Sequence, residues 1–270
     1  MKQLTSSVVA ETCAARPLDG GAFVAAIDRS WWGWSGPHGG VIAALVVHAA
    51  STMASDSTVL AVDLRFFGQA NDEEITFTPH SPKGGSRTRV VEVIVAQGSR
   101  EVAHASVTLG HVGPPSLADV HDVSTEAIRA PQDCARFMIP TELVSLGQHI
   151  DVRPTDGPLP LSGSTDAWMR AWVSTIAPIA LDPAYLALLA DCLPPAVFPV
   201  LTAPLAAPTI AFSIHFTAAH LDQAPKPVLV HTRNVSTSGG WSVDDTTLRD
   251  DSGRLLATAR QSRRVLGWAA

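Results

Sequence analysis

Hydrophobic and polar residues alternate along most of this chain in short runs that are typical of β-strands. In the first half these runs cover residues 22–28, 59–67, 87–96 and 101–109. Residues 41–50 are apolar on nearly every side, and this pattern predicts a buried helix. Residues 97–100, Gln-Gly-Ser-Arg, predict a hairpin connection between the last two runs. The first half therefore predicts a strand, a buried helix and then antiparallel strands.

The second half repeats this order. Strand-length runs cover residues 166–174, 209–216, 228–235, 243–249 and 254–265. Asp182 is a good N-cap residue and Pro183 suits the first helical position, so the pair predicts a helix that continues through Leu189. Residues 250–253, Asp-Asp-Ser-Gly, predict a second hairpin connection.

Three short segments of the first half match segments of the second half in the same order. Residues 63–66 align with 213–216, 84–86 with 239–241, and 102–105 with 256–259. All three matches are separated by about 150–155 residues, which indicates a duplication rather than chance. The stretch from Gly113 to Pro131 is polar and contains prolines, as expected of a linker.

Each half reads as an α+β unit, and two such units can join their sheets side by side and so cover exposed strand edges. The expected fold is a double hot-dog, in which each of two tandem units wraps an antiparallel sheet around a central helix. We expect the N-terminal unit at residues 1–112, a linker at 113–160 and the C-terminal unit at 161–270. Because hot-dog folds bury sheet edges by association, we also expect a homo-oligomer.

Composition excludes several classes of protein. Of the 270 residues, 46% are hydrophobic and 16% charged, which is too little charge for a disordered chain. The net charge of −6 and the absence of a long basic cluster argue against nucleic-acid binding. Three cysteines without paired spacing favour reduced thiols. The sequence also shows no secretory signal and no apolar stretch long enough to span a membrane, so we expect a cytoplasmic protein.

The motifs of several catalytic mechanisms are missing. Residues 33–37, Gly-Trp-Ser-Gly-Pro, do not form the G-x-S-x-G elbow of serine esterases. The ten histidines include no H-x-x-x-H or H-E-x-x-H pair, and the sequence has no G-x-G-x-x-G or P-loop motif. We therefore expect neither a metal nor a cofactor.

Three polar residues remain as candidates for activating water. Asp191 lies between apolar residues, and an unpartnered carboxylate there would be a stronger base because it is desolvated. The alternative for Asp191 is a helix-end cap before Pro194. Gln261 lies on a small apolar stripe of a strand, or alternatively near a solvated strand end. Thr209 begins a strand, where threonine is common; regular alternation would place it opposite Phe212.

Together these segments resemble the TesB-like acyl-CoA thioesterase II family. Residues 184–196 resemble the family's second-half helix with its aspartate, 209–216 the strand that begins with its threonine, and 256–264 the terminal strand with its glutamine. The similarity extends over nearly the whole chain through the order of the elements. It implies that Asp191, Thr209 and Gln261 bind one water, with Asp191 as general base, and that the water attacks the thioester of an acyl-CoA.

The glycines that precede the first helix suit the close approach of a substrate. Gly39 or Gly40 could donate a backbone N–H to the oxyanion, and His38 is a further candidate for a catalytic or substrate-binding group. The alternative for His38 is a loop histidine that packs on the tryptophans. Because the first half has no comparable acid, we expect one active site in each chain.

Two other functions stay open. The chain could bind acyl-CoA or lipid without catalysis, because a fold does not determine a function. A hot-dog enoyl-CoA hydratase is the second alternative, although no D-x-N-P-x-H type segment is found.

Overall fold

A single antiparallel sheet dominates the computed structural model, which describes residues 13–81, 83–85, 87–112, 120, 122–217 and 224–266. The strands are β1 (Arg16–Pro17), β2 (Phe23–Ala25), β3 (Thr58–Phe66), β4 (Ile75–Pro79), β5 (Lys83–Gly84), β6 (Thr88–Gln97), β7 (Arg100–Gly110), β8 (Ile150–Asp156), β9 (Trp168–Thr175), β10 (Thr209–Phe216), β11 (Val228–Ser238), β12 (Trp241–Arg249) and β13 (Leu255–Arg264). The α-helices are α1 (Gly39–Thr52) and α2 (Pro183–Leu189), and short 3₁₀ turns lie at Asp19–Gly21, Arg29–Trp31, Pro131–Asp133, Ser145–Gln148 and Phe198–Val200.

The strand order shows the duplication directly. It runs β1-β2-β4-β6-β7-β3 and continues β10-β13-β12-β11-β9-β8, with β5 beside β6. The two halves therefore have matching orders and meet where β3 pairs with β10. Registers match as well, because Val62 pairs with Val107 in the first half and Phe212 with Gln261 in the second. This arrangement confirms the predicted double hot-dog fold.

The helices fill the space inside the curved sheet. In α1, ten residues are buried, as the continuous apolar pattern predicts. The N-cap of α2 is Asp182, whose Oδ1 accepts a hydrogen bond of 2.7 Å from the Tyr185 N–H, and Pro183 occupies the first turn. The helices pack against each other, and their buried residues belong to one hydrophobic core that runs through both units.

Four strands, β1, β4, β5 and β8, lie where the sequence analysis predicted none. β8 falls inside the stretch 113–160 that was expected to be a linker, and it pairs with β9 at the outer edge of the sheet. Its alternation is masked by charged residues and by Pro154, which an edge strand tolerates because it needs fewer backbone N–H donors. β4 is a short strand that ends in proline. Residues 113–119 and 121 of the expected linker, the N-terminal residues 1–12 and Ser86 lie outside the described residues.

No helix within the described part of the chain has the length and apolar character needed to cross a membrane.

Candidate active site

Asp191 lies at the junction of the two units, just after α2 and beside the first turn of α1. Its Oδ2 accepts a hydrogen bond of 2.9 Å from the Gly40 N–H, so the carboxylate caps the α1 N-terminus, where the helix dipole favours negative charge. A Cβ at Gly39 would lie 2.8 Å from Asp191 Oδ2, and one at Gly40 would lie 2.7 Å from the Leu188 carbonyl oxygen. The two glycines therefore permit the close approach of α1 and α2.

Gln261 reaches Asp191 from the adjoining sheet. Its Nε2 donates to Asp191 Oδ1 at 2.6 Å and lies 3.4 Å from Thr209 Oγ1. Gln261 is only 3% exposed, so the alternative of a solvated strand end does not apply. Gln261 therefore lies on the apolar face of β13, as the alternation of the strand predicted, and this face is directed into the site.

Thr209 faces the interior because β10 is irregular at its start. Between Thr209 and Ala211 the register with β13 shifts, which gives β10 one extra residue, as in a β-bulge. Thr209 consequently pairs with Arg263, and its hydroxyl enters the Asp191 cluster. In a regular strand the Thr209 side chain would lie on the face opposite Phe212. The same shift occurs in the first half between Val59 and Ala61, so the bulge is part of the duplicated pattern.

Arg263 is the main residue of the site that sequence reasoning missed. Its NH2 donates to Gln261 Oε1 at 2.6 Å and to Asp191 Oδ1 at 3.2 Å, while its NH1 donates to Thr209 Oγ1 at 2.8 Å. The residue is 6% exposed. Alternation from Gln261 could have placed Arg263 on the same face of β13, but the adjacent Arg264 made the segment resemble a solvated strand end.

A second buried carboxylate, Asp244, also pairs with Arg263. Asp244 is 1% exposed, and its Oδ2 accepts from Arg263 Nε at 3.1 Å and from the Ala196 N–H at 3.3 Å. Its Oδ1 accepts from Asn234 Nδ2 at 2.9 Å. One guanidinium thus lies between two buried carboxylates. Each buried charge therefore has a partner of opposite sign, without which its burial would be costly.

His38 approaches Asp191 from the α1 N-cap. Its Nδ1 accepts from the Gly40 N–H at 3.2 Å, so in the neutral ring the proton resides on Nε2, which lies 3.6 Å from Asp191 Oδ2. Burial is the largest effect on the pKa of His38 and lowers it. The nearby Asp191 carboxylate raises this pKa and the Arg263 cation lowers it, so that the net pKa lies below the ordinary value. The imidazole is therefore neutral at pH 7.

A largely apolar cavity of about 680 Å³ opens beside this cluster. His38, Gly39, Asp191, Thr209 and Arg263 line it, whereas Gln261 does not. The remaining wall combines apolar residues of both units and of the segment between them, among them Trp34, Ile42, Phe66, Phe137, Pro140, Leu143, Val152, Met169, Leu193, Phe198, Leu205 and Leu266. Such a shape suits a hydrocarbon group whose reactive end meets a few polar side chains.

The corresponding cluster in the first half is entirely apolar. Strand register relates Thr209, Asp244, Gln261 and Arg263 to Val59, Val91, Val107 and Leu109, respectively. These four apolar residues are at most 4% exposed and belong to the hydrophobic core. The duplicated fold therefore contains one polar cluster and one apolar counterpart, and the single active site expected in each chain stays a prediction.

The thiol that follows Asp191 in the sequence stays protonated. Burial, followed by the nearby Asp191 charge, raises the pKa of the Cys192 thiol well above its ordinary value, so this neighbour of Asp191 is not a thiolate. Among the residues that the structure describes, no group of three histidine, cysteine or acidic side chains is arranged to hold a metal ion. Asp191, Thr209, Gln261, His38, Gly39 and Gly40, all indicated by the sequence, do come together, and their chemistry is that of an oriented carboxylate.

Comparisons with known proteins identify the family of the chain. Residues 28–110 match the model of the acyl-CoA thioesterase N-terminal domain, and residues 130–265 match that of the acyl-CoA thioesterase C-terminal domain. No curated protein matches the chain significantly.

Solved structures show the same fold along nearly the full length of the chain. A hot-dog protein of unknown function from Alicyclobacillus acidocaldarius is 24% identical, with a TM-score of 0.87 and coverage of 96% of this chain and 98% of that one. The tesB protein of Mycobacterium avium subs paratuberculosis is 15% identical, with a TM-score of 0.76 and coverage of 96% and 98%. The acyl-CoA thioesterase II TesB2 of Mycobacterium marinum is 16% identical, with a TM-score of 0.73 and coverage of 97% and 99%.

Proposed function

The chain belongs to the acyl-CoA thioesterase family, and from this premise we propose that it hydrolyses an acyl-CoA to a free acid and coenzyme A by direct attack of water. The observation that carries the proposal is the position of Asp191, a buried carboxylate on the wall of an apolar cavity, with the Thr209 hydroxyl and the α1 N-terminus beside it.

Asp191 is the general base in this proposal. It removes a proton from water as the water oxygen bonds to the thioester carbonyl carbon. Collapse of the tetrahedral intermediate breaks the C–S bond, and the proton held by Asp191 passes to the departing thiolate. Because coenzyme A leaves readily as a thiolate, the reaction requires no covalent intermediate.

Thr209 orients the water or the thioester. Its Oγ1 faces donors from Arg263 and Gln261, so its own proton is directed elsewhere and is available to the cavity. Gln261 was expected to bind the water as well. Since its Nε2 already faces Asp191 and Thr209 and its side chain does not line the cavity, we assign it to holding those two residues in place.

The first turn of α1 supplies the oxyanion donor. Gly40 donates to Asp191, and Val41 donates to the His38 carbonyl oxygen. Among the described residues no acceptor is found for the Gly39 N–H, and Gly39 lines the cavity. We therefore assign the Gly39 N–H to the oxyanion, where the positive end of the helix dipole adds to the hydrogen bond.

One observation favours the alternative of a binding protein without catalysis. Gln261, Arg263 and Gly40 all donate to Asp191, so only the Oδ2 side that faces His38 is left for a water molecule. A carboxylate that already accepts three hydrogen bonds has fewer free lone pairs for a catalytic water than the unpartnered one that the apolar sequence around Asp191 suggested. Direct measurement of turnover separates the two functions.

The decisive experiment incubates the protein with acyl-CoA substrates of short, medium and long chain, and with an aromatic acyl-CoA, and measures the free thiol released. A thioesterase releases thiol with saturation kinetics from at least one substrate. Binding without thiol release, detected by calorimetry, would instead establish the binding protein. In a parallel assay with an enoyl-CoA, loss of its absorbance without thiol release would establish a hydratase.

A further inference from the structure

Arg263 contacts every polar side chain around Asp191 that the sheet supplies. Its Nε, NH1 and NH2 donate to Asp244, Thr209, Gln261 and Asp191, four acceptors at 2.6–3.2 Å. A planar guanidinium presents five N–H groups in a fixed fork, so these contacts set the relative positions of the acceptors as well as their charge.

These contacts determine how the neighbouring groups point. Gln261 Oε1 accepts from Arg263, which directs the amide Nε2 toward Asp191 and Thr209. Arg263 NH1 also occupies a lone pair of Thr209, and this leaves the threonine proton for the cavity. Without Arg263, neither the amide orientation nor the direction of that proton would have the same support.

The fold itself does not need the arginine. At the equivalent position of the first half the residue is Leu109, and the positions that match Thr209, Asp244 and Gln261 hold valines. In the first half, the equivalent strands and the equivalent bulge therefore pack around an apolar cluster that contains no arginine. Since buried ion pairs are often no more stabilising than well-packed apolar residues, stability alone does not account for Arg263 and Asp244 in the second half.

We propose that Arg263, held by Asp244, is a positioning residue that aligns Asp191, Gln261 and Thr209 for hydrolysis. It acts through these three side chains, since four of its N–H contacts go to them and to Asp244. Asp244 also accepts from the Ala196 N–H and thereby ties the arginine to the segment that follows Asp191. The inference rests on the proposed thioesterase function.

The test compares kcat, KM and the unfolding temperature of wild type, Arg263→Met, Arg263→Lys and the double variant Arg263→Met/Asp244→Asn on one acyl-CoA. Arg260→Met is the matched control, because Arg260 lies on β13 and pairs with Asp245 of β12 but is exposed to solvent. Its kcat should equal that of wild type.

We expect Arg263→Met to lower kcat about 10- to 100-fold while KM changes less than about threefold, because misplacement of reacting groups affects the transition state most. Lysine keeps the charge but lacks the fork, so Arg263→Lys should remain at least about tenfold below wild type. The double variant should recover the unfolding temperature lost by Arg263→Met, because it removes the charge of Asp244, but should not recover kcat.

A kcat within about threefold of wild type in Arg263→Lys or in the double variant would show that the arginine only balances charge, and would overturn the inference while leaving the thioesterase function intact. These two variants also decide the matter if Arg263→Met does not fold. A wild-type protein that releases no thiol from any substrate would overturn the proposed function and this inference together.

Discussion

At Thr209, two neighbouring donor groups orient the hydroxyl of a residue type that is common in strands. Arg263 and Gln261 both face its oxygen as donors, so the hydroxyl proton is left for the cavity. A second buried pair, Thr232 and Thr246, forms a hydrogen bond of 3.0 Å within the same sheet but does not line the cavity. Variants at the two sites would separate the catalytic role proposed for Thr209 from a contribution to stability.

Replacement of the Thr209 hydroxyl should slow hydrolysis. We expect Thr209→Val to lower kcat about 10- to 100-fold, because one oriented donor to the reacting groups is lost. Thr209→Ser keeps the hydroxyl and should stay within about fivefold of wild type. Thr246→Val serves as the control and should lower the unfolding temperature without changing kcat. Equal rates for Thr209→Val and wild type would remove Thr209 from the mechanism.

Residue by residue, the sequence indicated the groups that stand out from an apolar background. Asp191 and Gln261 are polar residues among apolar neighbours, and the two glycines that begin α1 are recognisable for their lack of side chains. Arg263 and Asp244 were not indicated, because each adjoins a residue of like charge, Arg264 or Asp245, and such pairs are typical of solvated strands. Only the pairing of β12 with β13 shows which member of each pair is buried.

Among the elements, the contact between α1 and the end of α2 controls the site. Gly40 lies where α1 meets the Leu188 carbonyl oxygen and Asp191, and the helix can begin there only if no Cβ intervenes. The bulge at the start of β10 is equally necessary, since it turns Thr209 inward. The helix was foreseeable from its apolar pattern, but the bulge was not, because it depends on the register with a distant strand.

A methyl group at Gly40 should weaken this contact. Alanine normally favours a helix over glycine, but here its Cβ would lie 2.7 Å from a backbone oxygen and 3.1 Å from Asp191 Cβ. We expect Gly40→Ala to reduce the free energy of unfolding by about 1–3 kcal/mol, measured by denaturant titration, and to lower kcat as Asp191 shifts. Gly85→Ala is the control, because its Cβ would meet no atom within 4 Å. A Gly40→Ala variant more stable than wild type would contradict the packing described.

Across the whole molecule, duplication produced two similar units with different interiors. One cluster is apolar and completes the core, while its counterpart is polar and borders a cavity. The double hot-dog order could be read from repeated patterns, whereas the strand β8 could not, because an edge strand with proline and charged residues resembles a loop. Assembly into a homo-oligomer and a cytoplasmic location stay predictions, the first of which light scattering would test.

Stability should fall as the solution becomes mildly acidic. Burial, the largest cause in each case, lowers the pKa of His38, His48, His149 and His231 below the ordinary value. Below about pH 6.5 the unfolded chain therefore binds more protons than the folded protein, and acidification favours unfolding until the folded histidines also titrate.

We expect the unfolding temperature to decrease between pH 7.5 and pH 5, and His48→Gln to reduce the slope of this decrease. The exposed His215 provides the control, and His215→Gln should leave the slope nearly unchanged. The raised pKa of Asp182, caused by burial, acts in the opposite direction and is common to all three proteins. An unfolding temperature that rises on acidification would show that the histidines do not dominate this range.

The role of Asp191 is tested most directly by the isosteric variant Asp191→Asn, assayed by thiol release from the best acyl-CoA substrate and by calorimetric binding of a non-hydrolysable thioether analogue. Loss of the general base should lower kcat at least about 100-fold, while the dissociation constant of the analogue stays within about threefold of wild type. Asp182→Asn, which keeps a capping side chain on α2, should retain full activity. Thiol release by Asp191→Asn at the wild-type rate would contradict water activation by this carboxylate.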